Sequence, residues 1–167
     1  TFNSQAEVDD FPISYPDCNE ILGDVVISGS DIEDLSALAN ISSIDGALTI
    51  ENNALLTSIL GLESIQEIAG DLTISNNSIL NSIDELANID GSTIINMTIT
   101  NNPELAVCAI ESICTYFDLG NGTSTISNNG LECNSVEDIE FISFIFSFFT
   151  FPVSTNSLSF LYIDNFF

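Results

Sequence analysis

The chain has 167 residues, 45% of them hydrophobic, with 25 Asp and Glu and no Lys, Arg or His. One domain with an ample core is the economical reading. Ordinary domains carry both signs of charge, so the missing cations argue against nucleic acid and anionic lipid as partners. They also remove Ser–His–Asp triads, Schiff-base lysines, arginine clamps and imidazole metal sites.

In chain order, residues 1–22 read as an N-terminal cap, with Phe11, Pro12, Tyr15 and Pro16 covering the first coil and Cys18 pinning the cover. Five related segments come next: GDVVISGS around Ile27, GALTIENN around Ile50, GDLTISNNSIL around Ile74, IINMTITNNPEL around Ile99 and GTSTISNNGL around Ile126. Those isoleucines are 23, 24, 25 and 27 residues apart (27 to 50, 50 to 74, 74 to 99, 99 to 126). A period in that range, with apolar residues at fixed offsets, predicts stacked coils that share one core.

Each segment alternates as a half-buried strand does. Leu48 and Ile50, Leu72 and Ile74, and Met97 and Ile99 point inward. Further apolar columns come at three-residue steps: Ile59 and Ile83 with Leu35 one place short, then Leu62 and Leu86, Ile65 and Ile89, and Ile68. The outward positions form two rows, Thr49, Thr73, Thr98, Thr125 and Glu51, Ser75, Thr100, Ser127. Such hydroxyl rows suit a contact surface and are similar to those of ice-binding faces. The plainer reading is that Thr favours strands and pairs well with Thr across them.

After each strand stands an Asn pair: Asn52 and Asn53, Asn76 and Asn77, Asn101 and Asn102, Asn128 and Asn129. Asn satisfies turn backbone and tolerates left-handed angles. Stacking at about 4.8 Å predicts a structural amide ladder rather than a ligand site.

The motifs GLESIQEIAGDLTISNNSILNSIDELANIDG, QAEVDDFPISYPDCNEILGDVVISGSDIEDLSALANI, NNPELAVCAIESICTYF and ECNSVEDIE together resemble leucine-rich repeats of the receptor L-domain kind, as in bacterial surface proteins with cysteine-containing caps. The resemblance runs from Gln5 to Glu140. It implies a right-handed solenoid outside the cytoplasm, and it transfers no catalytic residue. The expected fold is therefore a β-rich solenoid, a right-handed L-domain-like coil stack of about five coils with capped ends. Residues 1–22 form the N-terminal cap, 23–140 the repeats with a C-terminal cysteine cap, and 141–167 a Phe-rich tail.

Within the C-terminal cap, residues 107–117 are expected to form a short helix with Cys108, Ile113 and Phe117 facing the last coil. Cys108 and Cys114 fall at buried offsets. Cys108 and Cys133 lie 25 residues apart, about one coil, and are the disulfide candidates. The family pattern would place a further Cys where Phe141 and Ile142 stand, which leaves one terminal cysteine without an evident partner. Residues 141–163 carry no charge. Pro152, Asn156 and five serines there favour a covering hairpin, with a membrane or partner contact as the alternative.

No residue stands out as catalytic or metal-ligating, and no cofactor is expected. Carboxylate pairs of the kind glycosidases use are the remaining enzymatic option. Calcium-loop spacing is missing. Four N-x-S/T sequons occur, at Asn40, Asn76, Asn96 and Asn121. The function expected is non-catalytic recognition or adhesion in a secreted or surface-displayed protein. It would bind a protein or glycan ligand through the flat strand face, with ice binding and carboxylate glycoside hydrolysis as alternatives.

Overall fold

The computed structural model of the protein describes residues 1–139. The expectations for the Phe-rich tail, a covering hairpin or a membrane contact through residues 141–163, lie outside the described residues.

Helix α1 (Gln5–Ser14) opens the chain. Ser4 caps it by accepting a hydrogen bond from the Glu7 amide, and Glu7 Oε2 reaches back to the Asn3 amide at 2.7 Å. Those two bonds satisfy donors that a helix start leaves orphaned. Gln5 then ties the helix down, since its Oε1 accepts from the amides of Glu33 and Asp34 and its Nε2 donates to the Asp34 carbonyl. Ahead of the helix, Phe2 makes a parallel bridge with Ile27 and so covers the edge of the first strand.

The remaining strands sort into two parallel sheets. Strands β2 (Val25–Ile27), β4 (Leu48–Glu51), β6 (Leu72–Ser75), β7 (Met97–Thr100) and β8 (Ser124–Ser127) pair in the order β2-β4-β6-β7-β8. The short strands β1 (Glu20–Ile21), β3 (Ser43–Ile44) and β5 (Glu67–Ile68) pair in the order β1-β3-β5. Helix α2 (Glu111–Leu119) ends at Gly120, whose φ of 66° lets the chain turn in the left-handed region.

This architecture corrects the expected fold class. The described residues form an α/β fold with two small parallel sheets of five and three strands, not the expected β-rich solenoid, a right-handed L-domain-like stack of about five coils with capped ends. The reason lies in the connections. Three of them supply the strands of the smaller sheet, and then the sequence changes. Where a fourth such strand would fall, Asp90 caps a short 3-10 turn, Gly91–Thr93, and in the next connection, after β7, the chain winds into α2. The smaller sheet therefore stops at β5.

The register inferred from the repeats is met. Leu48 pairs with Leu72 and Ile50 with Ile74, then Leu72 with Met97 and Ile74 with Ile99, and finally Ile99 with Ile126. The inward columns make one buried cluster that includes Ile27, Ile50, Ile74, Ile99, Ile59, Ile83, Leu62, Leu86, Ile65 and Ile89. A further column that was not expected, Leu56, Leu80 and Leu105, is buried as well. Its signal in the sequence is one more fixed offset, six residues after the reference isoleucine.

Close stacking needs glycine where one connection crosses the next. A Cβ on Gly70 would lie 2.6 Å from the Ala47 backbone nitrogen, inside any permitted contact.

The N-terminal cap is built differently from the expectation. Val8 and Phe2 are its buried residues, Phe11 and Pro12 are half-buried, and Tyr15 and Pro16 are exposed. Cys18 pins nothing covalently. It takes part in no disulfide among the described residues, and its sulfur lies 3.4 Å from the Glu20 carbonyl.

Candidate functional site

Because β4, β6, β7 and β8 pair in register, their outward residues line up across the sheet. Thr49 pairs with Thr73, Thr73 with Thr98 and Thr98 with Thr125. The neighbouring row runs Glu51, Ser75, Thr100, Ser127. Thr49, Glu51, Thr73, Thr98, Thr100 and Ser127 are half-buried and Thr125 is exposed. Ser75 departs from the expected face: it is 7% exposed and offers little to a ligand. Val26 continues the threonine row at the β2 edge, opposite Thr49.

The Asn pairs bound this face and divide their work. The first residue of each pair takes the left-handed turn: φ is 57° at Asn52, 56° at Asn76, 59° at Asn101 and 58° at Asn128. Asn is the side chain besides glycine that visits this region most readily. The second residue turns inward and builds the ladder. Asn53 Nδ2 donates to Asn77 Oδ1 at 3.0 Å, Asn77 Nδ2 to Asn102 Oδ1 at 3.2 Å, and Asn102 Nδ2 to Asn129 Oδ1 at 3.1 Å. Each Oδ1 also accepts from the preceding Asn backbone amide. Each Nδ2 also donates to the carbonyl of a reference isoleucine: Ile27, Ile50, Ile74 and Ile99 in turn. Burial of Asn53, Asn77 and Asn102 is tolerable because these polar atoms are paired. The outer residues join only once, where Asn128 Nδ2 donates to Asn101 Oδ1.

A second ladder precedes the strands and was not anticipated. Asp24 Oδ1 accepts from the Ala47 amide, Asp71 Oδ1 from the amide and Nδ2 of Asn96, and Asn96 Oδ1 from the amide and hydroxyl of Thr123. These residues share one offset, three before each reference isoleucine. Their differing identities (Asp, Ala, Asp, Asn, Thr) hid the column in the sequence.

The sequons fall in unlike settings. Asn96 is held in this second ladder, and Asn121 Nδ2 lies within hydrogen-bond reach of the Gly91 and Ser92 carbonyls. Asn40 and Asn76 are exposed.

At the C-terminal end Cys108 and Cys133 form a disulfide with Cα atoms 5.3 Å apart. Val107 and Glu132 make a parallel bridge beside it, so one repeat step brings the cysteines together. The bond agrees with an extracellular protein. Cys108 and Ile113 are buried and Phe117 half-buried, as expected, while α2 itself begins later than position 107 and ends two residues later than position 117. Cys114, expected on the buried side, is half-buried. Among the described residues no helix is long and apolar enough to cross a membrane.

Four carboxylates, Glu63, Glu67, Asp90 and Glu111, are among the residues that line a cavity of about 650 Å³ beside β5 and α2. Hydrogen bonds from the side chain and backbone of Ser92 hold Asp90 below its ordinary value of 3.8. A glycosidase general acid needs the opposite shift. Among the described residues no cluster of three or more His, Cys, Asp or Glu is placed to hold a metal ion.

Comparison of the chain with family models, with curated proteins and with solved structures finds no match.

Proposed function

We propose that the protein is a non-catalytic recognition or adhesion module, secreted or displayed at a cell surface, that meets a protein or glycan through the outward face of its five-stranded sheet. The observation that carries this reading is the register of Thr49, Thr73, Thr98 and Thr125 on adjacent parallel strands. Parallel pairing repeats one hydroxyl and one methyl at each strand spacing of about 4.8 Å. That gives an uncharged strip on a molecule of net charge −25. A neutral ligand meets no like-charge penalty along such a strip. The resemblance of the repeat motifs to receptor L-domain surface proteins supports the same reading, and so does the disulfide.

The test is binding to a glycan array and to intact cells, with Thr73→Lys as the probe of the face. Thr73 is half-buried, and a lysine stem can lie along the sheet with its charge in water. Loss of binding with an unchanged circular dichroism spectrum is expected. Undiminished binding by a folded Thr73→Lys protein would move the contact off this face. Thermal hysteresis that disappears in the same variant would assign the face to ice instead.

A further inference from the structure

At the opposite end of the molecule from the disulfide, the N-terminal segment, α1 and the β1–β2 connection border an open cavity of about 430 Å³. Its size falls in the range of small-molecule pockets, roughly 300–1,000 Å³. Three aromatic rings stand along its wall. Phe2 is fixed by two backbone bonds, to the Val26 carbonyl at 2.7 Å and from the Ser28 amide at 2.9 Å. Phe11 packs edge-on against Phe2 with ring centroids 5.5 Å apart, and Tyr15 tilts against Phe11 at 5.6 Å. Tyr15 and Leu22 are exposed, by 60% and 85%, apolar surface left in water at the end of the molecule. Two carboxylates, Glu20 and Asp24, also line it, together with Cys18, Ile21 and Val25. Asp24 spends Oδ1 on the Ala47 amide.

We propose that this cavity binds an organic cation with an apolar body, of the alkyl- or quaternary-ammonium class. Aromatic faces attract a weakly hydrated cation through the ring quadrupole. The two carboxylates add charge of the matching sign, and the chain has no Lys, Arg or His with which to neutralise them. A ligand cation would supply the charge that no side chain of the protein provides. A net charge of −25 raises the local concentration of any cation, while the apolar wall selects for one that also carries methyl or methylene groups. An anion would face the carboxylates, and a neutral apolar molecule would gain nothing from either of them.

The experiment titrates choline into the full chain at about 0.15 M salt, where charges beyond roughly 8 Å are screened, and follows the Phe and Tyr ring resonances by NMR. Thr1 also lines the cavity. The neutral carbon isostere 3,3-dimethylbutan-1-ol is titrated in parallel. Saturable shifts with one site are expected, at least about fivefold weaker for the isostere. Tyr15→Ala and Glu20→Gln, both at exposed positions, should each weaken choline binding by a comparable factor with the backbone spectrum retained. Equal affinity for the isostere would overturn the proposal. So would shifts that never saturate, or that survive both substitutions, since those mark diffuse attraction to the acidic surface.

Discussion

Asn77 Nδ2 donates to Asn102 Oδ1 at 3.2 Å, and both side chains are wholly buried. The same Asn77 accepts on Oδ1 from the amide and Nδ2 of Asn53 and donates to the Ile50 carbonyl. One side chain thus serves three connections. Truncating it orphans several buried groups at about 1–3 kcal/mol each. Asn77→Ala is therefore expected to destabilise by about 3 kcal/mol or more, and Ser78→Ala by no more than about 0.5 kcal/mol. Urea unfolding of the two variants measures both. Asn76→Gly, at a φ of 56°, should be nearly neutral. Small, equal losses for Asn77→Ala and Ser78→Ala would show that the ladder does not hold the fold.

The second ladder has a gap. Asp24 and Asp71 each accept from the residue one repeat later, but Ala47 has no side-chain oxygen to offer the Asp71 amide. Ala47→Asn supplies that acceptor, and its Nδ2 can reach Asp24. A gain of about 0.5–1.5 kcal/mol is expected. A lower urea midpoint would mean that the connection is too tightly packed there for the larger side chain.

Tyr116 is buried and donates its hydroxyl to the Thr123 carbonyl at 2.8 Å. Burial, and then the negative charge of Asp71, raise its pKa above the ordinary 10.0. The native state therefore keeps a proton that the unfolded chain gives up, and stability falls as pH rises above about 10. Melting temperature should decline more steeply between about pH 9 and pH 11 for the native protein than for Tyr116→Phe. Parallel declines would assign the alkaline loss to other groups.

Charge repulsion runs through the whole surface, with 25 carboxylates and no basic side chain. At pH 7 the melting temperature is expected to rise as sodium chloride goes from about 0.01 M to about 1 M, because the Debye length shrinks from about 30 Å to about 3 Å. A fall would mean that salt weakens something more important than repulsion.

Asp90 caps the 3-10 turn Gly91–Thr93 through its bond from the Ser92 amide. The hydrogen bonds from Ser92 lower its pKa, so its stabilising contribution is present above its ordinary value of 3.8 and is lost as pH falls through the lower folded value. Asp90→Asn should flatten the acid limb of a melting-temperature profile. An unchanged limb would show that this cap does not contribute.

Much of this molecule is legible from position alone. The pairing of Leu72 with Leu48 and Met97, the inward isoleucines, the Asn columns and the Cys108–Cys133 bond all come from spacing. Residues copied at a constant offset on parallel strands that pair in register meet their own copies. What spacing cannot carry is any choice made by unlike neighbours. The two asparagines of each pair look alike in sequence, yet one takes a left-handed angle and the other a buried ladder, because only the second lies over the carbonyl of the preceding isoleucine. The Asp24–Ala47 and Asp71–Asn96–Thr123 bonds use different side chains at one offset. The smaller sheet ends at β5, and the fold is α/β rather than the expected solenoid, because the Asp90 cap and α2 take the chain out of strand geometry. The aromatic cavity under α1 exists only because Phe2 adds itself to the edge of β2 and Phe11 packs upon it. Contacts of that kind join residues that share no repeat offset, and only the folded chain brings them together.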